Sequence, residues 1–382
     1  MTTGTQGQVE LGLALSGGGV RAAAFHAGVL QYFAEQGQLE DVGHVSSVSG
    51  GSLFVGLVMS RSKYEWPTSV AYRDQVFMDI RTVLTTTSLQ RSALFRMLGN
   101  PLNWRFLTSR ANIIEQAIRA VWKIDVPIGS LKHIPVWSIN GTSGETGVRF
   151  RFKGGRMGDY QSGYASVSHL NLASALAVSA AFPGLIGPLA IRTRDFQWMK
   201  REHWNSPDGE KPYDMPYARL HLYDGGIYDN LGIEPLFDVG KQRLKNSGDE
   251  RVSRLIVSDA GAAFFRKPIP HPLNPRRFRR IADIALEQTR ALRVRSFANF
   301  LQSNAGAGLY LRIGDDAETA FRKWKDRVSG TSLNEHNWLS KELATRAARV
   351  PTTLDRLDEE VFDLLARHGR ETAKWNNEMW CH

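Results

Sequence analysis

Cysteine is almost absent from this sequence. Cys381, next to the C-terminus, is the only one in 382 residues. A disulfide framework or a cysteine metal site therefore cannot form within one chain. The first ten residues, MTTGTQGQVE, also lack the basic and apolar segments of a secretory signal. Together these absences predict a cytoplasmic protein.

The sequence also lacks a hydrophobic run long enough to cross a membrane. The best candidate, 170–191, contains two prolines and two glycines and is better interpreted as a helix followed by a turn. There is no H-E-x-x-H pattern, no EF-hand acidic cluster and no G-x-x-x-x-G-K-[ST] loop. We therefore expect no metal, no other cofactor and no Walker-type ATPase. Helix-turn-helix, zinc and RNP patterns are missing too, so nucleic acid is not expected as a partner.

What the chain does contain is material for a large α/β domain. Its hydrophobic content is 42%, and strand and helix patterns alternate through the first two-thirds. Residues 134–140 and 255–258 have the apolar runs of buried parallel strands. We expect one α/β domain over residues 1–310 and a helical C-terminal extension over 311–382 that packs on the core.

A segment of different composition interrupts this domain at residues 192–218. It is rich in tryptophan, tyrosine, proline and charged residues. Such side chains suit a lipid–water interface, so one interpretation is a lid or docking loop whose ends lie close to the active site. An ordinary surface excursion is the alternative.

One serine stands where a nucleophile would be placed. His44–Val48 has the pattern of a short strand and Ser52–Ser60 that of a helix, with a Ser-Gly-Gly turn at Ser49 between them. This is the order of a nucleophile elbow, usually G-x-S-x-G, in which the turn exposes the hydroxyl. The amide of Gly50 and the helix N-terminus favour negative charge there. Ser47 replaces the first glycine, and taken alone the pattern also fits a plain turn.

A glycine-rich loop follows an earlier strand at Gly12–Leu15. Three consecutive glycines, Gly17 to Gly19, precede a helix over Val20–Glu35. Such a loop can aim several N–H groups at one point, which acyl transfer needs because its intermediate carries an oxyanion. Arg21 lies in the first helical turn, where a cation is disfavoured. We expect it either to hold the loop or to add positive potential.

The same loop also fits a dinucleotide-binding fingerprint. Gly17-x-Gly19-x-x-Ala22 lies between a strand and a helix, as that motif requires. The motif also needs an acidic residue about 20 residues further on, at the end of the second strand. That strand leads into Ser49, and Asp41 precedes it. The dinucleotide interpretation is therefore the weaker alternative.

An aspartate far along the chain could serve as a base for the serine. Asp224 follows a short strand over Leu220–Tyr223 and is followed by two glycines, which leave it open to close approach. A carboxylate that accepts a hydrogen bond from a serine hydroxyl can act as its general base. A simple D-G turn is the alternative. Asp259 also follows a strand and ranks second, because Ala260 follows it instead of a glycine pair.

Taken together, the glycine loop, the elbow and the Asp-Gly-Gly motif resemble the patatin-like phospholipase family, in its bacterial type. Residues 137–147 resemble the family's central strand and turn, and 172–188 its Ala/Ser-rich helix ending in a proline turn. The resemblance covers roughly residues 9–265. Ser47 in the elbow, and Ala22 where many relatives have glycine, depart from the family pattern.

The resemblance implies a three-layer α/β/α fold around a mostly parallel sheet. It also implies a Ser-Asp dyad in place of a triad, with Ser49 as nucleophile and Asp224 as base. The oxyanion hole would comprise Gly17, Gly18, Gly19, Arg21 and Gly50. Its implied activity is hydrolysis of phospholipid or lysophospholipid esters without a cofactor. The alternative is a non-catalytic or nucleotide-responsive effector that binds through the glycine loop or a basic cluster. His26 and His221 are candidates for a third catalytic residue, although a lone histidine is more often structural.

The charge of the chain suggests how it meets lipid. Lysine and arginine exceed acidic residues by ten, and much of the excess lies at Arg276–Arg280 and on the following helix, which carries Arg290, Arg293 and Arg295. With Phe297 and Phe300 this helix could lie on an anionic membrane surface. A solvated basic face is the alternative. We therefore expect a peripheral membrane protein, and the sequence leaves its oligomeric state open.

Overall fold

The computed structural model describes most of the chain. The described residues are 10–106, 109–183, 186–202, 209–246, 251–261, 268–271, 274, 276–324 and 337–380, without the side chains of 276, 278 and 279. Among them, a mixed sheet of twelve strands forms the centre of the molecule. None of the helices in these ranges is both long enough and apolar enough to span a bilayer.

The strands of the described chain are numbered in chain order. They are β1 Leu11–Leu15, β2 Val42–Val48, β3 Val136–Ser143, β4 Arg149–Lys153, β5 Arg156–Asp159, β6 Gly163–Ser166, β7 Leu189–Arg192, β8 Trp198–Lys200, β9 Lys211–Pro212, β10 Arg219–Asp224, β11 Phe237–Asp238, β12 Arg243–Leu244, β13 Arg254–Asp259 and β14 Gly308–Arg312. The main sheet runs β14-β13-β1-β2-β3-β4-β5-β6-β8-β9, with β10 paired to β3 and β7 paired to β10.

The helices are numbered likewise. They are α1 Gly19–Glu35, α2 Gly50–Arg61, α3 Ser69–Ala71, α4 Phe77–Thr86, α5 Leu89–Gly99, α6 Ala111–Ala117, α7 Leu172–Ser179, α8 Gly226–Asp229, α9 Arg276–Ser303, α10 Ala317–Lys323, α11 Lys341–Arg349 and α12 Glu359–Trp380. A 3₁₀ helix over Pro101–Phe106 follows α5.

The five strands from β14 to β3 are parallel and form the predicted core of the sheet. Successive side chains of a strand point to opposite faces, and the sequence of β1 supplies an apolar side chain to each. Leu13 and Leu15 belong to the cluster that contains α1 and α2, whereas Ala14 packs with Phe297 and Phe300 of α9 on the opposite face. The sheet therefore has helices on both sides, which confirms the expected three-layer α/β/α fold.

The other half of the sheet is an antiparallel meander from β3 through β6. Two strands of the 192–218 segment, β8 and β9, extend this meander. Arg192 at the start of the segment pairs with Arg219, five residues before Asp224 at the other end of β10. The expectation that the ends of this segment lie close to the active site is therefore wrong. Its centre, 203–208, is outside the described residues.

The C-terminal helices pack directly on the rest of the domain. α12 lies against α1, and the two backbones come so close that a Cβ at Gly28 would lie 1.8 Å from the carbonyl oxygen of Ala366. A Cβ at Gly369 would lie 2.1 Å from the carbonyl oxygen of Phe25. The expected boundary at residue 310 falls within β14, so this strand connects the extension to the main sheet.

α9 differs from the expected surface helix in its second half. Arg290 and Arg293 do not form an exposed basic face, because Arg290 pairs with buried Asp259 and Arg293 with Glu234. Phe297 and Phe300, assigned to a membrane surface, are buried in a core cluster. The sequence of α9 alternates basic and apolar residues. This pattern fits a membrane-facing surface and also fits buried ion pairs next to core residues, so it could not distinguish the two.

Candidate active site

Ser49 lies at a sharp turn between β2 and α2. Its backbone has φ 51° and ψ −119°, a region that non-glycine residues seldom occupy and that strains the chain. Ser49 is half-buried, so its side chain is reachable from solvent. A serine in this strained strand–turn–helix geometry has the form of a nucleophile elbow.

Two strands meet end to end beside β3 and bring the elbow to Asp224. Val48, the last residue of β2, pairs with Asn140 in the parallel direction. Asp224, the last residue of β10, pairs with the next residue of β3, Gly141, in the antiparallel direction. Both lie on the same edge of β3, because β4 occupies its other edge. The sheet itself therefore places Ser49 and Asp224 next to each other.

Asp224 is a buried carboxyl group, with only 2% of its surface exposed. Its Oδ1 accepts a hydrogen bond of 2.7 Å from the Gly226 amide. Burial raises the pKa of Asp224 to about 7, against the opposing effects of the Gly226 amide and the nearby Ser49 side chain. Oδ2 has no hydrogen-bond partner of normal geometry among the described residues. This oxygen is therefore still open to a proton from Ser49.

The glycine loop packs directly against the elbow. Gly18 and Gly19 have φ of 146° and 62°, which favour glycine. A Cβ at Gly17 would lie 3.0 Å from Cβ of Ser49, and one at Gly50 would lie 2.2 Å from the carbonyl oxygen of Gly19. Side chains at these positions would push the two loops apart. The glycines thus allow the backbones of the two loops to approach each other closely beside Ser49.

Arg21 anchors the glycine loop from behind. Its side chain is buried and donates hydrogen bonds of 2.7 Å to the carbonyl oxygen of Val350 and 2.9 Å to that of Ala260. Burial lowers the pKa of Arg21 to about 10, partly offset by Asp259. These contacts tie the start of α1 to the end of β13 and to the chain before α12. They support the loop-holding role that the sequence left open.

A chain of hydroxyl groups lies beneath the nucleophile, and its direction is fixed by its ends. Trp137 Nε1 donates to Ser47 Oγ at 2.8 Å, and the Ser179 hydroxyl donates to the carbonyl oxygen of Asn140 at 2.7 Å. Ser52 joins Ser47 and Ser179 at 2.8 Å each. Since each hydroxyl has one proton, Ser47 must donate to Ser52 and Ser52 to Ser179. Ser47 therefore has a structural role that glycine could not supply.

This network also holds the elbow itself. Ser179 Oγ accepts a hydrogen bond of 3.0 Å from the backbone N–H of Ser49. Neither Ser52 nor Ser179 was singled out from the sequence. The only signal was the serine content of the Ala/Ser-rich helix α7, which does not show which hydroxyl faces the elbow.

Asp259, the second-ranked carboxylate, is occupied by other groups. It is fully buried and paired with Arg290, and it accepts hydrogen bonds from the Tyr310 hydroxyl at 2.5 Å and the Gly261 amide at 3.0 Å. Burial disfavours its charge, but Arg290 and Tyr310 outweigh burial and keep the pKa of Asp259 below its usual value. A stable, paired carboxylate of this kind is a poor general base.

The two candidate histidines are bound elsewhere. His26 Nε2 donates to the carbonyl oxygen of Ser16 at 3.0 Å, so Nδ1 accepts from the Ser258 hydroxyl at 2.7 Å. Burial lowers the pKa of His26 to about 4, which keeps the ring neutral. His221 pairs with Glu145 at 2.6 Å. Both rings are therefore engaged with groups other than Ser49.

Similar folds are found among solved structures. Human GIVD cytosolic phospholipase A2 has a TM-score of 0.54 at 13% identity, over 97% of this chain and 61% of that chain. The same protein in complex with methyl gamma-linolenyl fluorophosphonate and terbium chloride has a TM-score of 0.51 at 14% identity, over 97% and 58%. At such identities the likeness shows the fold alone. No curated protein sequence gives a significant match.

The family comparison is more direct. The model described as Patatin-like phospholipase matches residues 13–237, more than half of the chain. The matched segment begins in β1, includes the glycine loop and the elbow, and extends past Asp224. This chain therefore belongs to the patatin-like phospholipase family.

Proposed function

We propose that the protein is a serine acyl hydrolase that cleaves fatty-acyl esters of phospholipids or lysophospholipids. The observation that carries this proposal is the end-to-end meeting of β2 and β10 beside β3. It sets a strained, reachable serine next to a buried carboxyl group whose pKa of about 7 suits a base near neutral pH. Membership of the patatin-like family supports a lipid hydrolase.

In the proposed reaction, Asp224 removes the proton from the Ser49 hydroxyl. Ser49 Oγ attacks the ester carbonyl carbon, and the protonated Asp224 then returns the proton to the leaving alcohol oxygen as the ester bond breaks. Water, deprotonated by Asp224, attacks the acyl-enzyme and releases the fatty acid and a free Ser49. Each half-reaction thus uses the same carboxyl group first as base and then as acid.

The backbone amides of Gly18, Gly19 and Gly50 are the proposed donors to the oxyanion of both tetrahedral intermediates. Gly17 allows the close approach of the loop to the elbow, and Arg21 holds the loop in place. Preorganised donors of this kind matter because the loss of one typically costs about 2.7–4 kcal/mol of barrier. The proposal therefore assigns all five predicted residues to the hole or to its support.

We place the enzyme at the surface of anionic membranes, in the cytoplasm. Its net positive charge supports attraction to such a surface. The nucleotide-responsive effector has no comparable support, because β2 leads into Ser49-Gly50-Gly51 and not into the acidic residue that ribose binding requires.

Release of fatty acid from phosphatidylcholine and lysophosphatidylcholine vesicles tests this proposal. Ser49→Ala should reduce release to background while the protein stays folded, because the substitution removes only a hydroxyl group. Ser60→Ala, at the far end of the same helix, is the matched control and should hydrolyse at the wild-type rate. If Ser49→Ala hydrolysed these lipids at the wild-type rate, the active site could not be at the elbow.

A further inference from the structure

Exposed apolar side chains of the described chain are most concentrated on one short hairpin. The 89–106 hairpin comprises α5 and the following 3₁₀ helix. Of the fourteen large apolar side chains that are exposed in the described chain, five fall within eleven residues of this hairpin. These are Leu94, Phe95, Leu98, Leu102 and Trp104, between 55% and 73% exposed. An apolar patch of this kind on a protein surface marks a contact with a partner or a membrane.

Polar groups fix the inner side of the 89–106 hairpin. Asn103 is buried and exchanges two amide hydrogen bonds, of 3.2 and 3.1 Å, with Gln116 of α6. It also donates to the carbonyl oxygen of Arg96 at 2.9 Å. Trp104 Nε1 donates back to the carbonyl oxygen of Met97 at 3.0 Å. Hydrogen bonds of Asn103 and Trp104 therefore hold the hairpin together while the five apolar side chains stay exposed.

The N-terminal end of the hairpin contacts a segment that also holds the glycine loop. The Gln90 amide donates to the carbonyl oxygen of Leu354 at 3.1 Å. The neighbouring residue, Thr353, accepts a hydrogen bond of 3.0 Å from the amide of Val20, directly after the glycine loop. One short segment thus contacts both the hairpin and the loop.

The chain that follows the hairpin is attached beside the aspartate. The Ser109 hydroxyl donates to the carbonyl oxygen of Pro188 at 2.5 Å, and the Arg110 amide to that of Ile186 at 2.9 Å. Leu189, which follows Pro188, pairs with Leu222, two residues before Asp224. Both ends of the hairpin are therefore attached to segments that also contact the glycine loop or the strand that ends at Asp224.

The charge of the hairpin and its flanks has one sign. No acidic residue occurs between Asp79 and Glu115, a stretch that contains five arginines. Arg81 and Arg91 are paired with carboxylates of the C-terminal region, but Arg96 and Arg105 form no ion pair within the described part of the chain. A groove of about 750 Å³ lies beside the exposed side chains, lined by Arg91, Ser92, Arg96, Asn103, Gln116 and Arg356. Exposed apolar side chains next to an arginine-lined groove complement a bilayer with anionic headgroups.

We propose that the 89–106 hairpin is the docking surface through which this protein inserts into an anionic phospholipid bilayer. Leu94, Phe95, Leu98, Leu102 and Trp104 enter the headgroup–acyl boundary, and Arg96 and Arg356 in the groove bind lipid phosphates. The choice of lipid as partner rests on the proposed function. Docking here presents the elbow and the glycine loop to the membrane from which the ester must come.

The exposed side of α9 is the competing surface. It contains Ile281, Ile284 and Leu292, but the helix also carries Asp283 and Glu287, which an anionic surface repels. Its apolar side chains are spread over twelve residues of one helix, without the concentration seen in the hairpin. α9 therefore supplies a matched control with the same kind of exposed side chains.

Vesicle co-sedimentation tests the docking surface without requiring turnover. The hairpin variant combines Phe95→Gln, Leu98→Gln and Leu102→Gln. The α9 variant, the control, combines I281Q, I284Q and L292Q. Glutamine keeps helix propensity and removes apolar surface, and circular dichroism and thermal unfolding check that both variants are folded. Vesicles of phosphatidylcholine alone, and of equal parts phosphatidylcholine and phosphatidylglycerol, are compared at low and high salt.

The wild type should bind the anionic vesicles more tightly than the neutral ones, and salt should weaken this binding. The hairpin variant should partition at least about tenfold more weakly, because burial of even one such side chain is worth a factor of that size. Arg96→Gln with Arg356→Gln should reduce the preference for anionic vesicles. The α9 variant should bind like the wild type.

Three results would overturn the inference: unchanged binding of the hairpin variant, loss of binding only in the α9 variant, or absence of vesicle binding by the wild type. Sedimentation velocity adds a fourth. If the wild type is a dimer and the hairpin variant is a monomer, the hairpin is a protein–protein interface. Binding and hydrolysis are separate readouts. A protein that docks through the hairpin without hydrolysing lipid would refute the proposed function alone, and an active enzyme that docks elsewhere would refute this inference alone.

Discussion

Val48 and Asp224 approach each other along one edge of β3, where they pair with the adjacent residues Asn140 and Gly141 from opposite directions. The distance between Ser49 and Asp224 is therefore set by strand pairing and not by a mobile loop. Sites built on strands hold their geometry more closely than sites on loops. The proposed chemistry then depends on the protonation of Asp224, on the fit of the glycine loop and on the reactivity of Ser49.

Activity should follow the titration of Asp224. Its pKa is raised to about 7, chiefly by burial, and only the carboxylate can accept the serine proton. The kcat/KM for an uncharged short-chain ester should therefore rise about tenfold per pH unit below neutrality and level off above about pH 8. Stopped or continuous assays between pH 5 and 9 measure this profile. A flat profile would mean that Asp224 is not the base, and an apparent pKa near 4 would contradict the raised pKa of Asp224.

Asp224→Asn should lower activity and raise the stability of the fold. Asparagine can still accept from the Gly226 amide but cannot take a proton, so hydrolysis should fall by roughly 10²–10⁴-fold. Because the folded-state pKa is raised, the wild-type carboxyl group stabilises the fold most below its unfolded pKa of 3.8, and this contribution is lost as the pH rises through about 7. The melting temperature of the D224N variant should therefore exceed that of the wild type more at pH 8 than at pH 5. Equal differences at both pH values would contradict the raised pKa.

Asp259→Asn should have the opposite effects. It removes the buried carboxylate partner of Arg290 and leaves only Glu287 paired with the guanidinium, and breaking a buried pair typically costs about 3–5 kcal/mol. Urea unfolding at pH 7 should show this loss of stability, while the folded fraction loses far less activity than Asp224→Asn. If Asp259→Asn instead abolished hydrolysis and left stability unchanged, the role of base would pass to Asp259.

Gly50→Ala tests the contact between the elbow and the glycine loop. The new Cβ would lie 2.2 Å from the carbonyl oxygen of Gly19, so the loops must separate and the oxyanion donors with them. A fall in kcat of roughly 10²–10³-fold is expected, as for the loss of one donor. Gly43→Ala, on the preceding strand β2, is the control, because its Cβ meets nothing closer than 3.6 Å. Similar rates for both variants would exclude the proposed oxyanion hole.

Local sequence was enough to predict the elements that carry the site. A strand, a small-residue turn and an apolar helical pattern predicted the elbow, and the glycine run predicted the loop before α1. These signals are local, because turns and helix starts depend on the residues that form them. The family model matches residues 13–237, a range that includes both motifs.

The sequence could not show contacts between distant segments. The hydroxyl chain from Trp137 through Ser47 to Ser179 joins residues that are more than 130 positions apart in the sequence. Without this chain, the presence of Ser47 in place of the usual glycine has no explanation. Likewise, the charges of Arg290 and Arg293 suggested a surface, although Asp259 and Glu234, with which they pair, lie outside α9. Ion pairs and hydrogen-bond networks of this kind depend on tertiary packing, which residue patterns do not encode.

Covalent labelling tests the central claim, that Ser49 is an activated nucleophile. The wild-type protein is treated with an alkyl fluorophosphonate, digested and analysed by peptide mass spectrometry. The account predicts one adduct, on the peptide that contains Ser49, no adduct in Ser49→Ala, and much slower labelling in Asp224→Asn. An adduct on a different serine, or undiminished labelling of Ser49→Ala, would contradict it.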